Sequence, residues 1–537
     1  MVTSFILTDR KVNSRQRPAR VFGRAAIAAF VLGGLWLTPS RLLAAISESQ
    51  VLVVYNSAAT DATTLKDAYL AAHPGIPAAN VVNLNNAALN VADLTSANFV
   101  TLVRDQIRSY LLAAGPPAPA DIVAIVLIRP FPHRIRDTDN ALVGDNPGIA
   151  DDELLAGDSN NASVDAELVL LWQDLITGEA GGTMDSKSDN MIDNPYHQLS
   201  SQIGAFSRVN IQTAKTFLST AAVYWRLGGT GATLLTPGDM YLVCRIDGNS
   251  LADAVATIDR AEDLYVNQAT TRILLDEFNV ATNQDLDDDG LLSNDATDRF
   301  WAGDDYEETT TALQAAGWDV RYDGTAEFID STQETNFLIG YASYGGNHSL
   351  SGLGESPPGG AAYIDNYNFA PGAMFNTVES YNGRALNGLT TFFNQEQVAD
   401  FVSAGGTFAI GMVWEPFTFT LPDNEFMMTG MLVNGLTWGE AAYTSIPALS
   451  WHHVVLGDPL GKTTILNDPG LPKGDLNGDT RVDGLDIAWY TDLVVHGPAN
   501  YHATFPTLDP IARGDFTGDQ IVDLADAPQF INALLPP

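Results

Sequence analysis

The sequence predicts an α/β protein in which two successive, mostly parallel sheet halves are followed by a small all-helical module. Apolar runs such as 51–55 and 122–128 alternate with amphipathic segments, as in parallel sheets that are covered on both faces. The alternation restarts near residue 266, which predicts the second half. Near the C-terminus an acidic loop pattern occurs twice.

The first 45 residues have the composition of a secretion signal. A basic stretch between Arg10 and Arg24 precedes the apolar run 25–37, and the small residues Ala44 and Ala45 follow. The apolar run is shorter than the ~20 residues of a membrane span. We expect cleavage near Ile46 and a secreted or cell-surface-attached mature chain without a membrane span. An uncleaved N-terminal anchor is the alternative.

Composition narrows the class of protein further. The formal net charge of −38 argues against a nucleic-acid-binding surface, because phosphate contacts need clustered Lys and Arg. Hydrophobic residues make up 45% of the chain, enough for a large core. The single cysteine, Cys244, lies in a strand-like apolar run, so we expect a buried, inert thiol and no internal disulfide.

Residues 46–265 form the predicted first half and residues 266–465 the second. In the first half we predict strands at 51–55, 81–84, 122–128 and 242–246, and helices at 61–72, 96–114, 163–175, 213–227 and 251–265. In the second half we predict strands at 273–275, 318–322, 337–342 and 407–412, and helices at 306–316, 395–404, 426–434 and 438–443. Residues 466–473, which contain proline and glycine, are the predicted linker.

The repeated loops lie at 475–486 and 515–526, and we call them loop one and loop two. Both place oxygen side chains at positions 1, 3, 5, 9 and 12, the ligand spacing of an EF-hand calcium loop. Position 7 would add its backbone carbonyl. The predicted Ca²⁺ ligands are Asp475, Asn477, Asp479, Arg481, Asp483 and Asp486 in loop one, and Asp515, Thr517, Asp519, Ile521, Asp523 and Asp526 in loop two.

Two departures separate these loops from a sensor EF-hand. Position 6 is Thr480 or Gln520 instead of Gly, and position 12 is Asp instead of Glu. With these features, residues 474–537 resemble a type I dockerin. That resemblance implies a small all-α domain that binds two calcium ions and docks onto a cohesin-like module. The alternative is an acidic, turn-rich surface tail, because Asp, Asn and Gly also favour turns.

Another acidic run is a further calcium candidate. Asp285, Asp287 and Asp289 precede Gly290 and imitate the start of a calcium loop. Position 12 of that loop would be Ala296, so the closing ligand is missing unless Asp295 or Asp298 serves. A solvated acidic turn is the alternative reading.

Ser343 and His348 are the candidate catalytic residues of the large domain. Gly340-Tyr-Ala-Ser343-Tyr-Gly345 follows a predicted strand, as a nucleophile elbow would, but its first Gly is one residue too distant from the serine. A tight Gly-rich turn is the competing interpretation, and Ser380 is another candidate nucleophile.

Two other pairs of residues look less suited to joint chemistry. Asp165 and Glu167 could pair as glycosidase carboxylates, but residues two apart on a helix do not share a face. His452 and His453 would point to opposite faces of a strand, which disfavours one shared metal.

Several motifs of the large domain carry a family resemblance. They include Val51-Leu-Val-Val-Tyr-Asn-Ser57, Gly75-Ile-Pro-Ala-Ala-Asn-Val81, Ser163-Val-Asp-Ala-Glu-Leu168, Arg245-Ile-Asp-Gly248 and Val455-Leu-Gly-Asp-Pro-Leu460. The region resembles an uncharacterised family of large secreted bacterial proteins to which no activity is assigned.

A more distant likeness concerns the fold. Two α/β halves with a Gly-rich turn after a late strand are similar to the gingipain-type cysteine peptidases of the caspase-like fold. Those enzymes place a catalytic His in that turn and a Cys after the next strand. Here His348 is displaced from the turn, and 376–383 contains no Cys. Caspase-type Cys–His catalysis is therefore not expected.

These observations predict a secreted protein of unassigned activity that a calcium-binding dockerin attaches to a cohesin-bearing partner or cell-surface complex. The alternative is a secreted hydrolase, either peptidase-like or polysaccharide-degrading. The hypothesis of polysaccharide catabolism rests only on the kind of enzyme that usually carries a dockerin.

Overall fold

A long, mostly parallel sheet organises the chain. The computed structural model describes residues 45–136, 161–172, 192–208, 211, 236–277, 305–344, 367–414, 416 and 420–535, apart from 114, 116, 263, 326, 327, 380 and 387–396. Within these residues ten strands form one sheet. The predicted mostly parallel α/β architecture is confirmed, and the two halves share a single sheet.

The first half supplies four parallel strands in the order β2-β1-β4-β8. Their bounds are β1 Val51–Tyr55, β2 Val81–Asn83, β4 Ala124–Ile128 and β8 Leu242–Ile246. Every residue of β4 and β8 is buried, because both strands lie inside the sheet and are covered on both faces. This explains their nearly continuous apolar sequence.

The second half supplies six strands in the order β11-β10-β12-β13-β14-β16. Their bounds are β10 Thr271–Asp276, β11 Asp319–Asp323, β12 Phe337–Tyr344, β13 Asn368–Val378, β14 Phe408–Met412 and β16 His453–Leu456. Their pairs are parallel except for β14 with β16. The halves join where β16 runs parallel to β8, at Leu456 opposite Arg245.

β13 is a strand that the sequence analysis missed. Its register against β12 shifts between Leu338 and Gly340, whose partners are Phe369 and Met374. The extra residues include Pro371 and Gly372, and Gly372 has a φ of 84°. Such a bulge lets the strand continue across residues that normally end one.

Helices cover both faces of the sheet. In the body they are α1 Ala62–Ala72, α2 Ser96–Asn98, α3 Asp105–Leu112, α4 Val164–Val169, α5 Leu251–Ala261, α6 Tyr306–Ala315, α7 Gln397–Ser403, α8 Asn424–Leu432 and α9 Trp438–Ser445. A π-helical turn, Phe99–Arg104, joins α2 to α3, so the predicted helix at 96–114 is helical throughout 96–112 but not uniformly α. The predicted helix at 213–227 lies outside the described residues.

Short strands complete the body. They are β3 Asp93–Thr95, β5 Arg134–Arg136, β6 Ala162–Ser163, β7 Ile192–Asp193, β9 Tyr265–Asn267, β15 Ala448–Leu449 and β17 Thr464–Leu466. β3, β5 and β6 form one small sheet, β7 pairs with β15, and β9 pairs with β17. The last pair joins the middle of the chain to the segment that leads into the C-terminal loops.

The C-terminal residues fold as helices around the repeated loops. The helices are α10 Asp486–His496, α11 Pro498–Thr504, α12 Pro510–Gly514 and α13 Ala527–Leu534. Their small core consists of Leu476, Tyr490, Leu493, Tyr501 and Phe530. We call residues 474–535 the C-terminal module and residues 46–465 the α/β body; both belong to the compact unit that begins at Leu43.

A search of the described residues finds no helix that is both long and apolar enough to cross a membrane.

Candidate calcium loops and the carboxyl edge of the sheet

Ser343 lies near the carboxyl end of β12, where the parallel sheet reverses its winding direction. β10 is flanked by β11 on one side and β12 on the other, so the chain winds outward in both directions from this point. Ligand sites of open α/β sheets form at such edges. The structure therefore places Ser343 where a site is expected, although its side chain is fully buried.

A short hydrogen-bond chain begins at Ser343. Its Oγ donates to Thr377 Oγ1 at 3.3 Å, and Thr377 Oγ1 donates to Glu379 Oε2 at 3.3 Å. The chain links neighbouring strands, because Ser343 is paired with Thr377 in the sheet. Two hydroxyls thus lead from Ser343 to the Glu379 carboxylate.

Other sequence candidates lie outside the described residues. These are His348, Ser380, Asp285, Asp287 and Asp289. Their roles as base, nucleophile and calcium ligands therefore remain predictions. Ser343 is the one member of the predicted Ser343–His348 pair that can be placed.

A second polar network covers the other face of the same edge. Asn376 Nδ2 donates to Asn424 Oδ1 at 2.9 Å, and Asn424 Nδ2 donates to Asp305 Oδ1 at 2.8 Å. His197 Nε2 contacts Asp423 Oδ2. Burial, and then the charge of Asp423, raise the pKa of Asp305 well above its usual range. Sequence reasoning missed this network, because its members are scattered from 197 to 424.

Asp165 and Glu167 serve separate buried contacts. Arg245 donates to both carboxylate oxygens of Asp165, at 2.9 and 2.5 Å, and to Asp247 Oδ2 at 3.0 Å. Glu167 instead accepts a hydrogen bond from Ser450 Oγ at 2.5 Å. The two carboxylates therefore diverge, as their helical spacing predicts. Asp165 holds the junction of the two sheet halves through Arg245.

Cys244 is buried in β8, as predicted. Burial raises the pKa of its thiol well above the ordinary value, and the charges of Asp458 and Asp165 raise it further. The thiolate is the nucleophilic form of cysteine, so this environment favours the unreactive thiol.

His452 and His453 make different contacts. The His452 ring stacks on Trp451 with centroids 3.8 Å apart, and its Nε2 donates to the carbonyl of Asn161 at 3.1 Å. His453 is fully buried on β16, and burial lowers its pKa to about 3. Neither contact brings the two rings to one ligand.

The first residue of each repeated loop binds the same backbone groups. In loop one, Asp475 accepts hydrogen bonds from the N–H groups of Gly478 at 2.8 Å and Thr480 at 2.9 Å. In loop two, Asp515 accepts from those of Gly518 at 2.6 Å and Gln520 at 2.9 Å. The aspartates thereby curl each loop around its position 1.

The last residue of each loop closes it in the same way. Asp486 accepts from the N–H groups of Leu476 and Asp483, each at 2.8 Å. Asp526 accepts from those of Phe516 at 2.7 Å and Asp523 at 3.0 Å. The two loops thus share one geometry as well as one sequence spacing.

Position 6 of each loop has a positive φ although neither residue there is glycine. Thr480 has a φ of 72° and Gln520 a φ of 67°. This left-handed region strains most residues with a Cβ. Thr480 and Gln520 therefore occupy the backbone conformation that favours glycine, the residue that EF-hands have at position 6.

The donor set of the loops suits a hard cation. Calcium takes carboxylate, amide, hydroxyl and carbonyl oxygens, and each loop carries such groups at its ligand positions. Among the described residues, no group of three or more His, Cys, Asp or Glu side chains is arranged to hold a metal. In both loops the carboxylates at positions 1 and 12 are turned toward backbone N–H groups, and positions 3 and 7 are not acidic.

The two closing aspartates differ in their electrostatics. Burial raises the pKa of Asp486, whereas at Asp526 burial is outweighed by N–H donors from Asp523, Thr517 and Phe516, which lower the pKa. Equivalent hydrogen bonds therefore leave the loop-one carboxylate harder to ionise.

Comparisons with known proteins give two distant structural matches. No protein-family model and no curated sequence matches the chain. The complex of Porphyromonas gingivalis RgpB pro- and mature domains matches with a TM-score of 0.33 and 10% identity, over 77% of this chain and 79% of that one. A structure described as "Structure of Protease" matches with a TM-score of 0.32 and 11% identity, over 78% and 79%. Such TM-scores mean loose agreement between the backbones.

Proposed function

We propose that the C-terminal module binds two calcium ions and attaches a secreted α/β protein to a cohesin-like partner. The observation that carries this proposal is the shared hydrogen-bond geometry of loops one and two. In both loops the N–H groups at positions 4 and 6 donate to the aspartate at position 1, and those at positions 2 and 9 donate to the aspartate at position 12. We expect this repetition of two metal-binding loops and not of an irregular acidic tail.

Each loop would hold its ion through the same positions. The residues are Asp475, Asn477, Asp479, Asp483, Asp486 and the Arg481 carbonyl in loop one, and Asp515, Thr517, Asp519, Asp523, Asp526 and the Ile521 carbonyl in loop two. When bound, calcium supplies positive charge that offsets the repulsion between these carboxylates. The protein's part is to preorganise the carboxylates through backbone N–H groups.

Exposed apolar side chains of the module support an attachment role. On α10, Ile487 and Val495 are 49% and 65% exposed and lie two turns apart. Ile531 on α13 and Leu535, directly after that helix, are 55% and 61% exposed. Exposed apolar faces of this type mark protein interaction sites.

A binding assay on the full chain tests attachment. Biolayer interferometry with an immobilised type I cohesin module should give saturable binding in calcium and none in EDTA. Val495→Asp should weaken binding tenfold or more by burying a charge in the interface. Val433→Asp is the matched control, because Val433 is also exposed but lies on the α/β body. Equal binding by both variants, or no binding in calcium, would contradict the attachment role.

A hydrolase built on a caspase-like body is the second candidate. It is favoured by Ser343, Thr377 and Glu379, which converge at the edge of the sheet where the winding reverses. The cysteine of such peptidases has no counterpart at the end of β13, where Val378, Glu379 and Ser380 stand.

Covalent labelling tests this candidate. A fluorophosphonate probe should label the full chain, and Ser343→Ala should abolish the label while Ser380→Ala retains it. Loss of the label in Ser380→Ala alone would move the nucleophile to Ser380. A chain that takes no label and cleaves neither peptides nor polysaccharides would contradict a serine hydrolase.

A further inference from the structure

The segment between the body and the module is tied to the body. Asp468 lies in the predicted linker, yet it is 4% exposed. Its N–H donates to Asn267 Oδ1 at 3.1 Å, and its carbonyl accepts from Asn267 Nδ2 at 2.6 Å. The β9–β17 pair brings these residues together. The predicted linker is therefore held against the body at Asp468 by hydrogen bonds, and it is not a flexible spacer.

Arg513 of the module connects this fixed point to loop one. Its Nε and Nη2 donate to the two carboxylate oxygens of Asp468, at 2.6 and 2.9 Å. Its Nη1 donates to the carbonyl of Asp475 at 2.6 Å and lies 3.2 Å from Asp475 Oδ2. The bidentate pair is strong and directional. One guanidinium thus holds both the linker and the first residue of loop one.

The same contact region contains two further links. Asn267 Nδ2 donates to Asp509 Oδ2 at 2.5 Å, and the N–H of Asp509 donates to Asp468 Oδ2 at 2.7 Å. The rings of Tyr265 and His502 stack with centroids 3.4 Å apart. Helix α12 and helix α11 are therefore both fastened to β9 of the body.

The charges around Arg513 connect loop one with the contact between the module and the body. Asp468 and Asp475 are both nearly buried and both contact Arg513, so two carboxylates share one buried cation. A buried carboxylate without a full partner is costly. An ion bound in loop one would balance Asp475 and leave Arg513 committed to Asp468.

From these contacts we infer that calcium binding in loop one and docking of the C-terminal module on the α/β body are coupled through Arg513. The inference rests on the proposed calcium function. Calcium then strengthens the junction at Asn267 and Asp468, and the intact junction strengthens calcium binding, because coupling between two sites is reciprocal. The module is a calcium-dependent clamp on its own body.

Hydrogen exchange on the unaltered full chain tests the clamp. Amides of β9 and β17, residues 265–267 and 464–466, should exchange at least fivefold more slowly in calcium than in EDTA. Calorimetry on the same sample reports calcium binding separately. Exchange that does not change while calcium binds would overturn the coupling and leave the calcium function standing. No calcium binding at all would overturn both.

A variant of the body tests the reciprocal effect. Asn267→Ala removes bonds to Asp468 and Asp509 without altering a loop residue, and it should weaken one of the calcium sites about fivefold or more. Gln268→Ala is the matched control, because Gln268 Nε2 bonds to the Ala316 carbonyl within the body. Unchanged calcium affinity in a folded Asn267→Ala chain would contradict the coupling.

Discussion

At the scale of single residues, buried carboxylates do most to set how this protein responds to pH. Glu167 is a clear case, because its side chain is buried beside the Ser450 hydroxyl. Burial raises its pKa to about 7, from an ordinary value of about 4.5. Desolvation penalises the charged form, and one hydrogen bond from Ser450 only partly offsets this effect.

We predict that Glu167→Gln removes a pH dependence of stability. A raised folded-state pKa means that Glu167 favours folding below its unfolded pKa, and that this contribution is lost as pH rises through about 7. Between pH 4.5 and 8 the wild type should lose about 3 kcal/mol relative to the variant, at ~1.4 kcal/mol per pKa unit. Urea unfolding at several pH values measures the unfolding free energy of both chains. The same dependence of that free energy on pH in the wild type and in Glu167→Gln would contradict the prediction.

We also predict that Thr480→Gly and Gln520→Gly stabilise the C-terminal module. Release from the left-handed conformation gains about 1–2 kcal/mol and the entropy of glycine costs about 0.5–1 kcal/mol, so the net gain is between about 0 and 1.5 kcal/mol each. Gly518→Ala is the opposite control: its φ is 83° and a Cβ would meet nothing within 4 Å, so it isolates backbone strain. In excess calcium the unfolding temperature should rise for Thr480→Gly and Gln520→Gly and fall for Gly518→Ala. A shift in the same direction for all three variants would contradict the proposed backbone strain.

At the scale of elements, patterns within short segments were predictable and long-range pairings were not. The apolar runs of β1, β4 and β8 predicted buried parallel strands, and the sheet confirms them. β13 was missed because Pro371 and Gly372 interrupt its pattern, and only its alignment with β12 accommodates the bulge. The Asn376–Asn424–Asp305 network could not be predicted from the sequence, because no short sequence spacing connects its members.

The junction between β8 and β16 depends on Arg245. We predict that Arg245→Met costs about 3–5 kcal/mol of unfolding free energy, because it leaves the buried Asp165 without its cation and leaves Asp247 with only Arg129, 3.6 Å away. Arg321→Met should cost less than about 1 kcal/mol, since Arg321 is partly exposed and Arg272 still pairs with Glu334. Denaturant unfolding measures the loss of stability in each variant. Similar losses in Arg245→Met and Arg321→Met would contradict the larger contribution expected of the buried Arg245.

At the scale of the whole molecule, the sequence predicted the mostly parallel α/β body but not how that body joins the C-terminal residues. Loop spacing alone indicated a repeated loop pattern, because its oxygen-bearing side chains lie close together in the chain. The contacts of Asp468 with Asn267 and Arg513 could not be predicted, because they combine residues from three separate regions. A segment rich in Pro and Gly looked like a linker, and in the fold it carries a buried carboxylate.

We propose that loops one and two each bind one calcium ion. Calorimetric titration of the full chain tests it directly. Asp479→Ala and Asp519→Ala each remove the exposed carboxylate proposed as the position-5 ligand, so each variant should lose one equivalent of bound calcium and the double variant two. Asp330→Ala, which alters a similar aspartate turn of the body, should keep the wild-type stoichiometry. Equal stoichiometry in the wild type and the double variant would contradict the account.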